Sequence, residues 1–162
     1  MGFEYRIAST DDLEDIWNKN INDNSGDNRW INWKSEYLVY NTQQMAFTFC
    51  VVLDGQPIGE GTLIMSEKCS AIGNRKNLAN SRDIGNINAL RITKEYEGHG
   101  HISKLVKMME SFAERNSIKE LTIGVEAKET RNLSIYFHWG YNVFVMSEIE
   151  DGELVLYYKK TL

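Results

Sequence analysis

The chain has 162 residues, of which 42% are hydrophobic and 25% charged, and its formal net charge at pH 7 is −5. A chain of this length suits a single domain spanning residues 1–162, with a hydrophobic core that needs no disulfide or metal to hold it. The charge is spread along the chain without a basic stripe, which argues against a nucleic-acid partner, and no stretch is apolar enough to cross a membrane.

The first third of the chain is predicted to form a strand and two helices. It opens with MGFEYRIAST, which lacks the apolar stretch of a secretory signal, so a cytoplasmic location is expected. Residues 3–7 alternate like a strand, and Ser9 with Asp12 resembles a capping box before a helix. A second helix carries an aromatic stripe, interpreted as core with the alternative that part of it lines a substrate site. The stripe consists of Trp30, Trp33, Tyr37 and Tyr40.

The middle of the chain is predicted to contain a hairpin followed by a long polar loop. Residues 45–53 and 57–65 alternate like strands around a tight Asp54-Gly55 turn. Residues 66–85 are polar, and a loop of that length in a compact domain is usually functional or irregular. Glu60 lies between two glycines that would let a ligand approach closely, so it is a candidate base, with a plain edge carboxylate as the alternative.

The most informative stretch is residues 84–106, IGNINALRITKEYEGHGHISKLV. It predicts a strand over 88–93, a turn over 95–100 and a helix beyond. Such a junction directs unpaired backbone N–H groups and the positive end of the helix dipole at one point, which favours an anion such as phosphate. The turn lacks the third glycine of a dinucleotide fingerprint and the ending of a P-loop, so an ordinary strand–turn–helix junction is the alternative.

The last third of the chain is predicted to add a strand, a short helix and a closing hairpin. The strand covers 120–125, the helix covers 130–139 and stops at Gly140, and the hairpin strands cover 141–146 and 153–159. The predicted order is therefore β-α-α-β-β-β-α-β-α-β-β. This order indicates a mixed sheet covered by helices on both faces, with at least one parallel pair joined by a helix over 102–116.

Two segments carry a family resemblance. The first is ALRITKEYEGHGHISKLV, and the second is NLSIYFHWGY at residues 132–141. Together they resemble the GNAT superfamily of acyl-CoA-dependent N-acetyltransferases, in its pyrophosphate-binding strand–turn–helix and its Asn-x-Ala-x-x-Tyr-x-x-x-Gly-Phe segment. The resemblance implies an α/β (α+β) fold with a mostly antiparallel central sheet, helices on both faces and a splayed parallel strand pair. It also implies acetyl-CoA as cosubstrate.

The resemblance implies a coenzyme site in which one strand binds pantetheine and the glycine turn binds the diphosphate. The residues implied to bind the coenzyme are Leu90, Arg91, Ile92, Glu97, Gly98, His99, Gly100, His101, Ile102, Ser103 and Asn132. Two of them depart from the family pattern: Glu97 replaces Gln or Arg, and Ile102 replaces Gly or Ala. These departures predict an altered affinity for the coenzyme at the same location.

The implied activity is transfer of an acetyl group from acetyl-CoA to a primary amine of a small molecule or peptide, by direct attack. Tyr136 matches the family's tyrosine that protonates the departing thiolate, and a phenol suits this because it stays protonated at neutral pH. A core tyrosine is the alternative. Glu60 and Glu126 are both kept as candidate catalytic bases, with Asn86 and Asn88 as residues that orient water or acceptor.

Two other function classes are open: a catalytically weak acyl-CoA sensor, which Glu97 and Ile102 suggest, and an interaction module on the same fold. A metal site is not expected, because His99 and His101 would diverge in the turn and no carboxylate is spaced to complete their ligand set. The two cysteines lack CxxC spacing and are expected to be free thiols. A homodimer is the common outcome for small symmetric assemblies, and the acceptor's identity is not encoded in these patterns.

Overall fold

The computed structural model describes residues 2–162 and has the predicted order of helices and strands. The helices are α1 (Thr10–Asp23), α2 (Arg29–Thr42), α3 (His101–Arg115) and α4 (Thr130–His138). The strands are β1 (Phe3–Ile7), β2 (Ala46–Leu53), β3 (Gln56–Ile64), β4 (Ile84–Ile92), β5 (Glu120–Glu126), β6 (Val143–Glu150) and β7 (Glu153–Thr161). Two short 3-10 helices, Ser70–Ile72 and Lys94–Tyr96, lie in loops. Within residues 2–162, no helix has both the length and the apolar character needed to span a bilayer.

The seven strands form one mixed sheet in the order β1-β2-β3-β4-β5-β7-β6. β4 and β5 are parallel and are joined by α3, whereas β1 pairs with β2, and β7 with β5 and β6, in antiparallel fashion. The parallel ladder pairs residues 84–87 with 120–123, and β4 then continues to Ile92 and β5 to Glu126. This topology confirms the predicted mostly antiparallel sheet with one parallel pair.

The chain divides into two compact units, and the first comprises the residues up to 63 together with 89–109. Its first helix begins with the predicted capping box: the Ser9 hydroxyl accepts from the Asp12 N–H at 3.1 Å, and the Asp12 carboxylate accepts from the Ser9 N–H at 3.0 Å. The aromatic stripe of α2 is core only in part. Tyr37 and Tyr40 are buried, while Trp30 and Trp33 stay half-buried.

The two glycines of β3 make room for the chain's own side chains. A Cβ at Gly61 would lie 2.6 Å from Leu90 and 2.7 Å from Met109, and one at Gly59 would lie 2.6 Å from Ile92. The prediction that these glycines admit a ligand is therefore wrong, because packing from β4 and α3 fills that space. Glu60 faces the opposite side of β3, where it meets α1. At this strand, helices therefore cover both faces, as predicted.

The second unit comprises residues 64–88 and 110–162. Its long loop is anchored by buried apolar side chains, including Leu78 and Ala79. The Asn80 side-chain oxygen accepts hydrogen bonds of 2.9–3.0 Å from the N–H groups of Arg82, Asp83 and Ile84. These bonds end the loop and start β4 at Ile84, four residues earlier than the predicted strand. Residues 84–87 lack the apolar alternation typical of a strand, so the prediction started the strand too late.

Candidate functional site

The turn between β4 and α3 has the backbone geometry expected of a glycine turn. The N–H groups of Tyr96 and Glu97 bond back to the carbonyls of Thr93 and Lys94, which closes the 3-10 helix. Gly98 and Gly100 follow with φ of +77° and +82°, a conformation that side chains with a Cβ disfavour. A Cβ at either glycine would meet nothing within 4 Å, so both glycines face open space.

The backbone donors of this turn are unpaired. Within residues 2–162, the N–H groups of residues 98–103 donate no hydrogen bond, and the first bond of α3 runs from Lys104 N to Gly100 O at 3.1 Å. We call these six N–H groups the turn donors. They lie at the N-terminus of a 15-residue helix, where the dipole favours negative charge. The arrangement can therefore bind an anion without any cationic side chain.

The two histidines of the turn differ in environment. His99 is exposed, whereas His101 is only 6% exposed and packs between Phe3 and Tyr5 of β1. The Nδ1 atom of His101 lies 2.6 Å from the Tyr5 hydroxyl. Burial, and then the neighbouring His99 and Lys104 side chains, lower the pKa of His101 and favour its neutral form. The His101 ring therefore anchors the start of α3 to β1, and only the backbone N–H of His101 is left for a ligand.

The remaining predicted residues of this region differ in exposure. Glu97 is exposed, and Ile102 and Ser103 are half-buried at the start of α3. The side chains of Leu90 and Ile92 pack toward β3, so only their backbone groups could serve a ligand.

Tyr136 and Asn132 lie one turn apart on α4, in the second unit. The Asn132 side chain is exposed and makes no hydrogen bond within residues 2–162, so it does not cap its own helix. The Tyr136 ring packs 5.6 Å from Trp139, while its hydroxyl has no partner in the described chain. Every fully buried polar side-chain atom described has a partner, so this hydroxyl reaches solvent.

The ionisation of Tyr136 suits a proton donor. Burial, and then the negative charge of Glu129, raise the pKa of Tyr136 above its ordinary value. The phenol is therefore protonated throughout the neutral range, and its proton is not committed to another group of the described chain.

A compact polar cluster lies on the α1 side of β3, within the first unit. Glu60 is only 7% exposed, and its Oε2 atom accepts from Asn20 Nδ2 at 3.0 Å and from Arg91 Nη1 at 3.3 Å. The Arg91 guanidinium lies 4.7 Å from the ring centre of Trp30 and 5.5 Å from that of Trp17. We call these five residues the Glu60 cluster.

The Glu60 carboxylate combines burial with a free oxygen. Its Oε1 atom has no partner within residues 2–162, and since no described buried polar atom is left unpaired, Oε1 reaches solvent. Burial raises the pKa of Glu60, against the opposing effects of Arg91, Asn20 and Lys19. A carboxylate with a raised pKa and one open oxygen is suited to accept a proton.

The other candidate base and the two asparagines are placed differently. Glu126 has a side chain that is 41% exposed and lies 3.7 Å from the Lys128 ammonium, as a surface ion pair. Asn86 is fully buried and donates to the Thr122 hydroxyl at 2.8 Å, so it cannot orient water as predicted. Asn88 donates to Asn86 at 3.3 Å. Of the two candidate bases, Glu60 is the one shielded from solvent.

The Arg91 side chain is a feature of the site that the sequence patterns did not indicate. Trp30 of the aromatic stripe and Trp17 of α1 belong to different helices, but both lie over its guanidinium. No local pattern links these residues to β4.

Neither a metal site nor a reactive thiol stands out in the part of the chain that the structure describes. Residues 2–162 contain no group of three or more His, Cys, Asp or Glu side chains placed to hold a metal ion. Cys50 and Cys69 are buried free thiols. Burial raises the pKa of Cys50 to about 12 and that of Cys69 to about 11, so both stay protonated and unreactive.

The family model that matches this chain is the Acetyltransferase (GNAT) family, over residues 10–141. The chain belongs to the GNAT acetyltransferase family. The match covers both resembling segments as far as Tyr141, and it confirms the predicted family and the enzyme class that goes with it. A search of curated proteins gives no significant match.

Solved GNAT structures share the fold over nearly the whole chain. A GNAT acetyltransferase from Streptococcus pneumoniae has a TM-score of 0.72 at 18% identity, covering 99% of this chain and 100% of its own. PaiA N-acetyltransferase from Thermoplasma acidophilum, solved with coenzyme A, has a TM-score of 0.64 at 18% identity, with 100% of each chain covered. A GNAT acetyltransferase from Elizabethkingia anophelis, solved with acetyl-CoA, has a TM-score of 0.63 at 14% identity, covering 99% of this chain and 98% of its own.

Proposed function

We propose that this protein is an N-acetyltransferase that moves an acetyl group from acetyl-CoA to a primary amine of a small molecule or peptide. The observation that carries the proposal is the set of turn donors, six unpaired backbone N–H groups at residues 98–103 in a GNAT chain. The structural neighbours from T. acidophilum and E. anophelis were solved with coenzyme A and acetyl-CoA, which supports the same cosubstrate here.

The chain's own residues fit the diphosphate of coenzyme A. The turn donors supply hydrogen bonds, and the missing Cβ atoms of Gly98 and Gly100 leave space for close approach. Glu97 is exposed at the surface, where it lowers the attraction for an anion without removing any backbone donor. We therefore expect binding at this turn with an affinity reduced by Glu97.

The pantetheine arm is assigned to the backbone of β4 at Leu90, Arg91 and Ile92, with Asn132 as a further contact. The β4–β5 ladder ends at the pair Ile87 and Ile123 although both strands continue, which supports an arm laid along β4. The exposed, unbonded Asn132 amide has donors and an acceptor to spare for it.

The chemistry requires a neutral amine and a proton for the departing thiolate. Acetyl-CoA supplies an acetyl group activated as a thioester. Glu60 takes a proton from the acceptor at its open Oε1, while Asn20 and Arg91 hold Oε2 in place. Tyr136 provides the proton for the thiolate, because its hydroxyl is protonated and unpaired. Glu126 is the less suitable base because solvent and Lys128 already stabilise its charge.

The second candidate function is an acyl-CoA sensor, which the departures at Glu97 and Ile102 favour, and the third is an interaction module on the same fold. The experiment that separates the classes measures thiol release from acetyl-CoA with a panel of amines, alongside the rise in melting temperature caused by coenzyme A. Thiol release with at least one amine supports the transferase. A rise in melting temperature without release from any amine supports the sensor, and neither effect supports the interaction module.

Two further expectations belong to this proposal. The buried free thiols suit a reducing compartment such as the cytoplasm. A homodimer stays a prediction, tested by the mass of the protein in solution.

A further inference from the structure

The ion pair between Glu60 and Arg91 involves only one carboxylate oxygen and one guanidinium nitrogen. One contact, Nη1 to Oε2 at 3.3 Å, joins them, although a carboxylate and a guanidinium can form two parallel hydrogen bonds. Within residues 2–162, the Glu60 Oε1 atom and the Arg91 Nε and Nη2 atoms have no partner. Each of these atoms reaches solvent, because no fully buried polar side-chain atom described is unpaired. The same ion pair therefore has a free acceptor, Glu60 Oε1, and a free donor edge, the Nε–H and Nη2–H groups of Arg91.

Both halves of the pair have further partners. The Arg91 guanidinium lies over the rings of Trp17 and Trp30, and these contacts restrict the directions in which its free N–H groups can point. The Asn20 side-chain N–H donates to Glu60 Oε2, and the Asn20 Oδ1 atom is a second acceptor without a partner within residues 2–162. Asn20 is 8% exposed and Glu60 is 7% exposed, so the two acceptors are sheltered from bulk water.

The chemistry of these free atoms defines a complementary ligand. An amine or ammonium group can donate hydrogen bonds to the two side-chain oxygens, and a carboxylate can accept hydrogen bonds from the guanidinium edge. The pair itself has no net charge, so a ligand that is itself neutral overall leaves no unbalanced charge in the sheltered site. A ligand with an amine and a carboxylate on neighbouring atoms meets all of these conditions.

We propose that the acceptor is a free α-amino acid, with its amino group on Glu60 Oε1 and Asn20 Oδ1 and its α-carboxylate on the free N–H edge of Arg91. This inference rests on the proposed transferase function and narrows its acceptor. A peptide N-terminus lacks the adjacent carboxylate, and a polyamine would place a second positive charge near Arg91.

The transfer balances with these groups. The α-ammonium loses one proton through Glu60 to solvent, the nitrogen bonds to the acetyl carbon, and the thioester C–S bond breaks. The nitrogen's second proton replaces the one that Tyr136 gives to the departing thiolate. The net products are an N-acetyl amino acid, coenzyme A thiol and one released proton.

The first test uses the unmodified protein. Thiol release from acetyl-CoA is measured with each of the twenty L-amino acids, its α-carboxamide and its decarboxylated amine. For at least one side chain, kcat/KM should be about 30-fold higher for the amino acid than for either analogue. A 30-fold ratio corresponds to about 2 kcal/mol, the typical strength of one charge-assisted hydrogen bond. Equal kcat/KM for amino acids and carboxamides would overturn the inference while leaving the transferase in place.

The second test uses variants. Arg91→Gln should reduce the preference for the amino acid over its carboxamide to less than about threefold, mainly by raising KM for the amino acid. Trp30→Leu should weaken the preference while keeping the Glu60–Arg91 pair. The matched control is Phe144→Leu, since Phe144 lies in the second unit and its ring packs on Tyr158. A preference that survives Arg91→Gln in a folded protein would contradict the assignment of the carboxylate.

A binding measurement separates failure of this inference from failure of the transferase. The melting temperature of the protein is recorded with coenzyme A and saturating amino acid or carboxamide. A larger rise with amino acids, without thiol release from any amine, would support the acceptor site and reject catalysis. No release and no difference in melting temperature would reject both.

Discussion

Gly100→Val tests the assignment of the turn donors with a single added side chain in the turn. Gly100 has a φ of +82°, and a Cβ there would meet nothing within 4 Å. The Cβ of valine therefore meets no neighbouring atom, and the expected cost is the backbone strain of a side chain in the left-handed region, about 1–2 kcal/mol. In a chain of this size, that strain lowers the melting temperature by about 2–8 °C.

The effect on coenzyme binding should be larger than the effect on stability. The valine side chain would occupy the open space in front of the turn donors and block the diphosphate from at least two of them. Each charge-assisted hydrogen bond is worth about 1.5–3 kcal/mol, so the loss of two weakens binding by about 3 kcal/mol or more, over 100-fold. At a concentration 100 times the original Kd, coenzyme A stabilises the unmodified protein by about 2.7 kcal/mol, and nearly all of this should disappear.

The assay is thermal unfolding with increasing coenzyme A, supported by calorimetric titration. The matched control is Gly152→Val, because Gly152 has a φ of +80° in the β6–β7 turn and also faces open space. The control should lose similar stability but keep the full response to coenzyme A. If Gly100→Val bound coenzyme A as tightly as the control did, the turn would not be the diphosphate site.

Two further predictions concern the catalytic groups. Tyr136→Phe should lower kcat by about 100-fold with less than a twofold change in coenzyme affinity. The control Tyr158→Phe, in the same unit, should leave both quantities unchanged. Unchanged turnover in Tyr136→Phe would remove Tyr136 from the acid role. Glu60 must lose its proton to act, and burial raises its pKa, so kcat/KM should fall as pH drops through that raised value. Glu60→Gln should lower kcat/KM by about 100-fold and abolish this fall at acidic pH, whereas Glu126→Gln should preserve it. An unchanged fall at acidic pH in Glu60→Gln would exclude Glu60 as the base.

The order of helices and strands was predictable because it depends on local patterns. Apolar periodicity identified each helix, and the Ser9–Asp12 capping box and the stop at Gly140 marked helix ends correctly. The start of β4 was missed because residues 84–88 include Gly85 and two asparagines. Asn86 is buried there only because Thr122, 36 residues away, supplies its hydrogen-bond partner, and no local pattern records such pairing.

The candidate site was predictable where it depends on the backbone and unpredictable where it depends on distant side chains. The turn donors follow from a glycine turn opening a helix, which is a local property. His101 was expected among the residues that bind the coenzyme, yet its ring lies in a buried contact with Tyr5 of β1. The Glu60 cluster joins two helices and two strands, and an isolated segment cannot indicate that Arg91 stacks on Trp30.

Amide NMR spectra of the ¹⁵N-labelled protein would show at each N–H group whether the turn donors hold the diphosphate of coenzyme A. Coenzyme A should shift the amide signals of residues 98–103, and pantetheine, which lacks the diphosphate, should leave most of them in place. Saturating coenzyme A without any shift in these six amides, or equal shifts with pantetheine, would contradict this assignment.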